Sequence, residues 1–301
     1  MSPRLRKIMA GIAAGIPLAI PILTAPLNIG GCYPLGYQCP ETIERVVIQH
    51  ANDGTISEVD CHAACGSEQA TCGVIDAEQI ECMTMEVRCP PAGRPPAGAL
   101  AGFAARRARS TPSTRWLASA AVMEAASIIA FDELARDLDA HRLPTRLVDD
   151  ALVASADEAS HTRHMTLALG ARIGATRIRV GVERSPIRTF EALAIGNVVD
   201  GCAGEAWAAI EAAAQAELAV AGDIRSRMRT IAADEAQHAL LSFTIGDAIG
   251  RRAGSEAVRQ LEHAHERAMA ELYAGLASQE PDAELGRLGG VDARALFVSV
   301  T

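Results

Sequence analysis

Two short stretches of the chain set an acid and an imidazole at the same spacing, Asp157-Glu158-Ala159-Ser160-His161 and Asp234-Glu235-Ala236-Gln237-His238. A glutamate and a histidine three residues apart project from one helical face, where together they can ligate a cation or relay a proton. A single Glu-x-x-His is also common on solvated helix faces, so the surroundings decide. Both copies interrupt apolar stripes. Stepping by four and three residues, one stripe reads Leu147, Ala151, Ala154, Glu158, His161, Met165 and Ala168. A second reads Ile224, Met228, Ile231, Glu235, His238, Ser242, Ile245 and Ile249. Two more carry one acid each: Glu124 between Ala121 and Ile128, and Glu205 between Cys202 and Ala209. The pattern makes all four faces interior, with the polar interruption at one level on each.

Four helices must position these groups. Periodicity predicts them over about 113–140, 144–173, 189–220 and 223–250, with a fifth over about 255–277 and a weakly patterned tail beyond Pro281. Pro144 suits a first helical turn, and Gly222 with Asp223 offers a stop followed by an N-cap. The stretch from Gly174 to Pro186 alternates polar and apolar residues and reads as an extended crossover; some 15 residues span roughly 50 Å, the length of a long helix. In an antiparallel hairpin, residues at equal height lie equally far from the turn. The midpoint of Glu124 and Glu158 falls at 141, inside the first turn, and that of Glu205 and Glu235 falls at 220, beside the last. Each pair is level within its hairpin.

Bringing the hairpins together puts four carboxylates and two imidazoles in one interior layer. Removing even one charge from water costs several kcal/mol. Two divalent cations balance four carboxylates, and oxygen with imidazole ligands suits iron or manganese. One glutamate from each of two helices, plus Glu-x-x-His from each of the others, is the ligand pattern of dimetal carboxylate bundles. On Glu124, Glu158 with His161, Glu205, and Glu235 with His238, residues 113–250 resemble the ferritin-like superfamily of bacterioferritins, rubrerythrins and diiron oxygenases. The resemblance implies a mainly α fold: a four-helix bundle with one long crossover, preceded by a small cysteine-rich, partly β module. It implies two Fe ions, or an Fe/Mn pair, bridged by Glu158 and Glu235, with Glu124 and His161 completing one and Glu205 and His238 the other.

Residues beside the set have alternative readings. Asp157 and Asp234 are either second partners of the histidines or exposed acids. His164, one turn past His161, is a surface or supporting group, or an alternative ligand. Cys202 is a buried free thiol or a redox group beside Glu205, and Trp207 lies off the ligand face. The only tyrosines are Tyr33, Tyr37 and Tyr273, none in the four helices, which argues against tyrosyl-radical chemistry. Rubrerythrin-type relatives carry a further carboxylate where this chain has Ala208.

The rest of the chain indicates export. Three positive charges precede a long apolar run in residues 1–31, the pattern of an export signal. Cys32 follows Ile-Gly-Gly and is either a lipidated new N-terminus or an ordinary residue near a cleavage site. Seven of eight cysteines precede residue 90; Cys39, Cys61, Cys65, Cys72, Cys82 and Cys89 are disulfide candidates within a module at 32–90. A Pro/Gly/Arg connector follows at 91–112, and a fifth helix and tail at 251–301. The net charge of −9 excludes a nucleic-acid partner held by a basic face. The combined expectation is a periplasmic or membrane-anchored dimetal protein reacting O2 or peroxide with ferrous iron or a small reductant. Its alternatives are a membrane-associated diiron hydroxylase of a lipophilic substrate, and a metal-stabilised structural or binding domain without catalysis.

Overall fold

The computed structural model describes residues 94, 95, 111–174, 178–182 and 185–300, with the strand backbones at 43–45, 71–74, 80–84 and 100–104. The stretch 1–31 and residues Cys32, Cys39, Cys61, Cys65 and Cys89 lie outside the described residues. The described chain is mainly helical.

Helix α1 spans Pro112–Ala140. Thr111 and Thr114 cap each other reciprocally, and Pro112 opens the first turn, where its missing N–H costs nothing. Arg142, at φ 52°, reverses the chain into α2, Thr145–Ile173. Pro144 stands one residue ahead of that helix as its N-cap rather than within the first turn. Helix α3 runs continuously over residues 190–218 in three stretches: Phe190–Gly196, a π-helical Asn197–Glu205, and Ala206–Leu218. Helix α4 is Gly222–Gly250, capped at Ala221. The expected Gly222 stop and Asp223 cap are thus both helical, and Asp223 meets the positive end of the helix from inside the first turn. Helix α5, Ser255–Gly275, ends in a tight 3-10 turn, and the weakly patterned tail forms a further helix, α6, Gly290–Val300.

The strands fall in two places. Strands β1 (Ile43–Arg45), β2 (Thr71–Val74) and β3 (Ile80–Thr84) form an antiparallel sheet in the order β1-β3-β2, with Cys72 opposite Cys82 in the register. They lie in a compact unit spanning Leu27–Pro90, separate from the helical unit. Within the helical unit, β4 (Leu100–Ala104) pairs antiparallel with β5 (Ile178–Val182). The connector therefore contributes a strand against the crossover.

That crossover runs back along α1. Having left α2 beside the start of α1, it reaches the far end, where the Ser185 hydroxyl donates to Glu133 Oε1 at 2.9 Å and Arg188 pairs with Asp137. His141 Nε2 meets the Arg188 carbonyl oxygen at 2.7 Å, so two buried acids and a turn imidazole hold its end. Arg252 donates to the His141 carbonyl at 2.7 Å and brings the end of α4 to the same place. At the opposite end Arg172 on α2 bridges Asp223 on α4 and Glu284 in the tail.

Two apolar cores result, each fed by all four long helices. One joins Leu117 and Ala121 of α1, Met165 and Leu169 of α2, Ala212 and Ala216 of α3, and Ile224 and Met228 of α4. The other joins Phe131 and Leu138, Leu147 and Ala151, Leu193 and Ala194, and Ile245 and Ile249. Each buried leucine or isoleucine contributes about 1.5–3 kcal/mol. Small alanines let the helices approach closely and keep the interior narrow. Each helix passes from one core to the other through the level of its glutamate. Among the described residues no helix is long and apolar enough to cross a membrane.

The tail closes one end. Leu288, Leu296 and Phe297 pack on Trp207, which is off the ligand face as expected. Gly286, at φ 73°, passes so close to α3 that an added Cβ would lie 2.4 Å from the Ala219 nitrogen. Gly286→Ala is therefore expected to lower unfolding free energy by about 1–3 kcal/mol, measured as an earlier urea midpoint at unchanged slope.

Candidate metal centre

Between the two apolar cores, Glu124 of α1, Glu158 and His161 of α2, Glu205 of α3, and Glu235 and His238 of α4 converge. They form two overlapping groups. Glu124, Glu158, His161 and Glu235 bring one ligand atom each within 4.8 Å of one another, and so do Glu158, Glu205, Glu235 and His238. Glu158 and Glu235 belong to both. All six sequence-predicted ligands meet here, each placed by its stripe at the level where the apolar run breaks.

The pair of histidines is arranged with near two-fold symmetry. His161 Nδ1 faces Glu124 at 3.7 Å, Glu158 at 3.5 Å and Glu235 at 3.5 Å. His238 Nδ1 faces Glu158 at 3.3 Å and Glu235 at 3.6 Å. On the outer side, His161 Nε2 meets Asp234 of α4 at 3.1 Å, and His238 Nε2 meets Asp157 of α2 at 3.4 Å. Each aspartate thus holds the imidazole of the opposite helix. A proton kept on Nε2 by that carboxylate leaves the Nδ1 lone pair facing inward, the tautomer a metal requires.

Inside the ring the polar atoms lack partners. Both Nδ1 atoms, both oxygens of Glu205, and Oε2 of Glu158 and of Glu235 are buried without a hydrogen bond. Such atoms cost about 1–3 kcal/mol each, more when charged. Their spacing exceeds that of hydrogen bonds. Ligands about 2.1 Å from one ion lie about 3 Å apart, close to the spacing found. The donor set and its orphaned atoms fit divalent cations.

The electrostatics agree. Burial, reinforced by the charge of Glu124, raises the Glu158 carboxyl above its usual range. Glu205 is raised well above by burial and by Glu235. Burial alone would keep His161 neutral, but the carboxylates of Glu124 and Glu158 overcome it and lift the ring to about 11. His238 is raised well above its normal value, against the same burial, by Asp157, Glu158 and Glu235. Without cations, protons must balance the layer.

The neighbouring candidates separate. His164 lies outside both groups and turns toward Arg227, its Nδ1 3.3 Å from the guanidinium. Cys202 is free and buried, its thiol pushed up to about 12 by burial, and receives only a 3.8 Å contact from the Asn197 amide.

Sequence reasoning missed Arg94. It comes from the connector, yet it is 2% exposed. Its Nη2 donates to Ser242 Oγ at 3.1 Å and to Asn197 Oδ1 at 3.4 Å, and its Nε lies 3.8 Å from Glu205 Oε1. The Ser127 hydroxyl donates to its carbonyl at 2.9 Å, and the guanidinium covers the Phe131 ring, which in turn packs on His238 at 4.9 Å. The π-helical turn makes the seat. Its i→i+5 bonding takes in an extra residue per turn and moves the interior face from Val198, where an α stripe puts it, to the fully buried Asn197. It also presents Gly201, whose added Cβ would lie 2.3 Å from Arg94 Nη2 and 2.5 Å from Ser242 Oγ. The available hint was Ser242, a hydroxyl on an otherwise apolar stripe one turn beyond His238.

Comparison with family models, curated proteins and solved structures found no match for this chain. Gly201→Ala is expected to displace Arg94 or Ser242 and cost about 1–3 kcal/mol in urea unfolding, whereas Gly170→Ala in α2, where an added Cβ meets nothing within 4 Å, serves as a mild control.

Proposed function

We propose that the helical unit is a ferritin-like four-helix bundle binding two divalent cations, iron or an iron–manganese pair, and that the protein reduces O2 or peroxide with electrons from ferrous iron or a small reductant. The supporting observation is the pair of four-residue groups sharing Glu158 and Glu235, largely buried, with inward-facing atoms that have no protein hydrogen-bond partner. In this reading Glu124 and His161 complete one position, and Glu205 and His238 the other. Held by these residues in the reduced state, such a pair of ions would supply two electrons to an oxygen species.

The chain's own residues do the rest. Asp157 and Asp234 fix the rings by crossing between α2 and α4. Phe131 excludes water beside His238. Glu124, at 18% side-chain exposure, is the least buried ligand, so its side is where a small molecule enters. The apolar leader and the crowding of cysteines before residue 90 support an exported protein, anchored through Cys32 or released.

Full-chain protein refolded without metal and then offered Fe(II) or Mn(II) is expected to retain two ions per chain by elemental analysis. Glu158→Ala and Glu235→Ala should each abolish paired binding; two ions retained in either variant would remove the shared role of that glutamate. O2 added to the Fe(II) form should be consumed with oxidation of the iron. Two bound irons that leave O2 untouched would favour the metal-stabilised structural domain instead. Asp157→Asn and Asp234→Asn are each expected to weaken metal affinity about 10–100-fold, read by competition with a chelator.

A further inference from the structure

The crossed pairs Asp157–His238 and Asp234–His161 make the halves of the centre nearly equivalent. Arg94 breaks that equivalence. Its guanidinium carries a permanent positive charge, since arginine is not deprotonated in proteins. The nearest ligand carboxylate is Glu205, at 3.8 Å. Among the described residues, the ion pairs of the other half are His161 with Glu124, Glu158, Glu235 and Asp234, and none brings in an arginine.

The position of this charge is fixed. Phe131 lies under the guanidinium, Ser242 and Asn197 hold Nη2, and Ser127 holds the main chain. Gly201 leaves no room for displacement toward α3. Nε and Nη1 have no hydrogen-bond partner, so their charge is offset only through space, by Glu205 first and by Asp200 of α3 second, while Arg188 adds positive charge nearby. The halves also differ in access to water: the Glu205 side chain is fully buried, while that of Glu124 is 18% exposed.

Resting on the dimetal reading above, we infer that Arg94 makes the two cation positions unequal. The Glu124–His161 position binds first and tightly, and the Glu205–His238 position binds second and weakly. The reasoning is electrostatic. A cation bound by Glu205 must share that carboxylate with a guanidinium already beside it, and is repelled by the same fixed charge. At the effective dielectric of a protein interior, a unit charge within several ångströms of a dication changes affinity by at least about tenfold. The consequence is regulatory. Over that span of metal concentration the protein holds one resident ion, and two-ion chemistry begins only when supply rises enough to fill the second position. Arg94 acts as a positioning and affinity-setting residue, not a ligand.

Mn(II) is the probe, because it is stable in air and its resonance signal distinguishes isolated from coupled ions. Titrated into metal-free full-chain protein, it should bind in two calorimetric steps at least about tenfold apart, with an isolated-ion signal at one equivalent and a coupled signal only near two. Arg94→Met should tighten the second step by about tenfold and merge the two, while Arg94→Lys, which keeps a charge, should preserve the separation. A coupled signal from the first equivalent, or an undiminished separation in Arg94→Met, would overturn the inference. Should Arg94→Met fail to fold, a crystal structure of the wild type at one equivalent decides: an ion between Glu124 and His161 supports the ordering, and one between Glu205 and His238 refutes it. Failure to bind two Mn(II) at saturation would instead remove the dimetal reading, a result distinct from two equal sites.

Discussion

Like charges buried together in one layer need counter-charge, and the helical unit is organised around that need. Glu158, Glu205 and Glu235 are nearly inaccessible to water, and Glu124 is partly buried, with 18% of its side chain exposed. The desolvation cost of such groups is several kcal/mol per ion. The structure balances it on three tiers. Imidazoles face the carboxylates inside the ring, aspartates support the imidazoles from outside, and a guanidinium from the connector backs Glu205. None of these gives the inward-facing atoms a full set of hydrogen bonds. What remains unmet is a set of inward-facing donor atoms that could hold a cation.

The apolar cores on either side serve this layer. Stacked alanines bring four backbones close, which leaves the ring narrow and its side chains with few rotamers to choose from. The leucine- and isoleucine-rich ends compensate for the polar middle. The crossover orders the helices: by returning along α1 before α3 begins, it sets Glu205 and Glu235 at the height of Glu124 and Glu158. Had α3 followed α2 through a short turn, it would run antiparallel to α2, and its glutamate would need another position in the sequence to reach the same layer. The buried Glu133 and Asp137 on α1, which hold Ser185 and Arg188, are thus part of the positioning of a site they do not touch.

The π-helical stretch of α3 shows how a local change in winding creates a specific seat. One wider turn exposes Asn197 to the interior, aligns Gly201 with an incoming side chain, and still delivers Glu205 to the ring. Rewinding this stretch as α-helix would turn Asn197 outward and leave Arg94 with Ser242 as its one side-chain acceptor.

The sequence by itself determined the helices and the level of their buried acids and histidines. Period and caps locate α1 to α4 within one or two residues, because a long amphipathic stripe has one low-energy register against an apolar core. The convergence of the six side chains was legible for the same reason, since acids on an interior stripe stand out and the hairpin midpoints level them. Tertiary structure alone decided the rest. The partners of Asp157 and Asp234 lie on another helix, beyond the reach of periodicity. The π turn depends on packing and leaves only a weak mark in composition. Helix α6 forms on Trp207 and needs that surface to exist. Arg94, more than a hundred residues before its partner Glu205, gains its meaning only when the connector folds onto α1 and α3, because a charge is costly or useful according to what surrounds it.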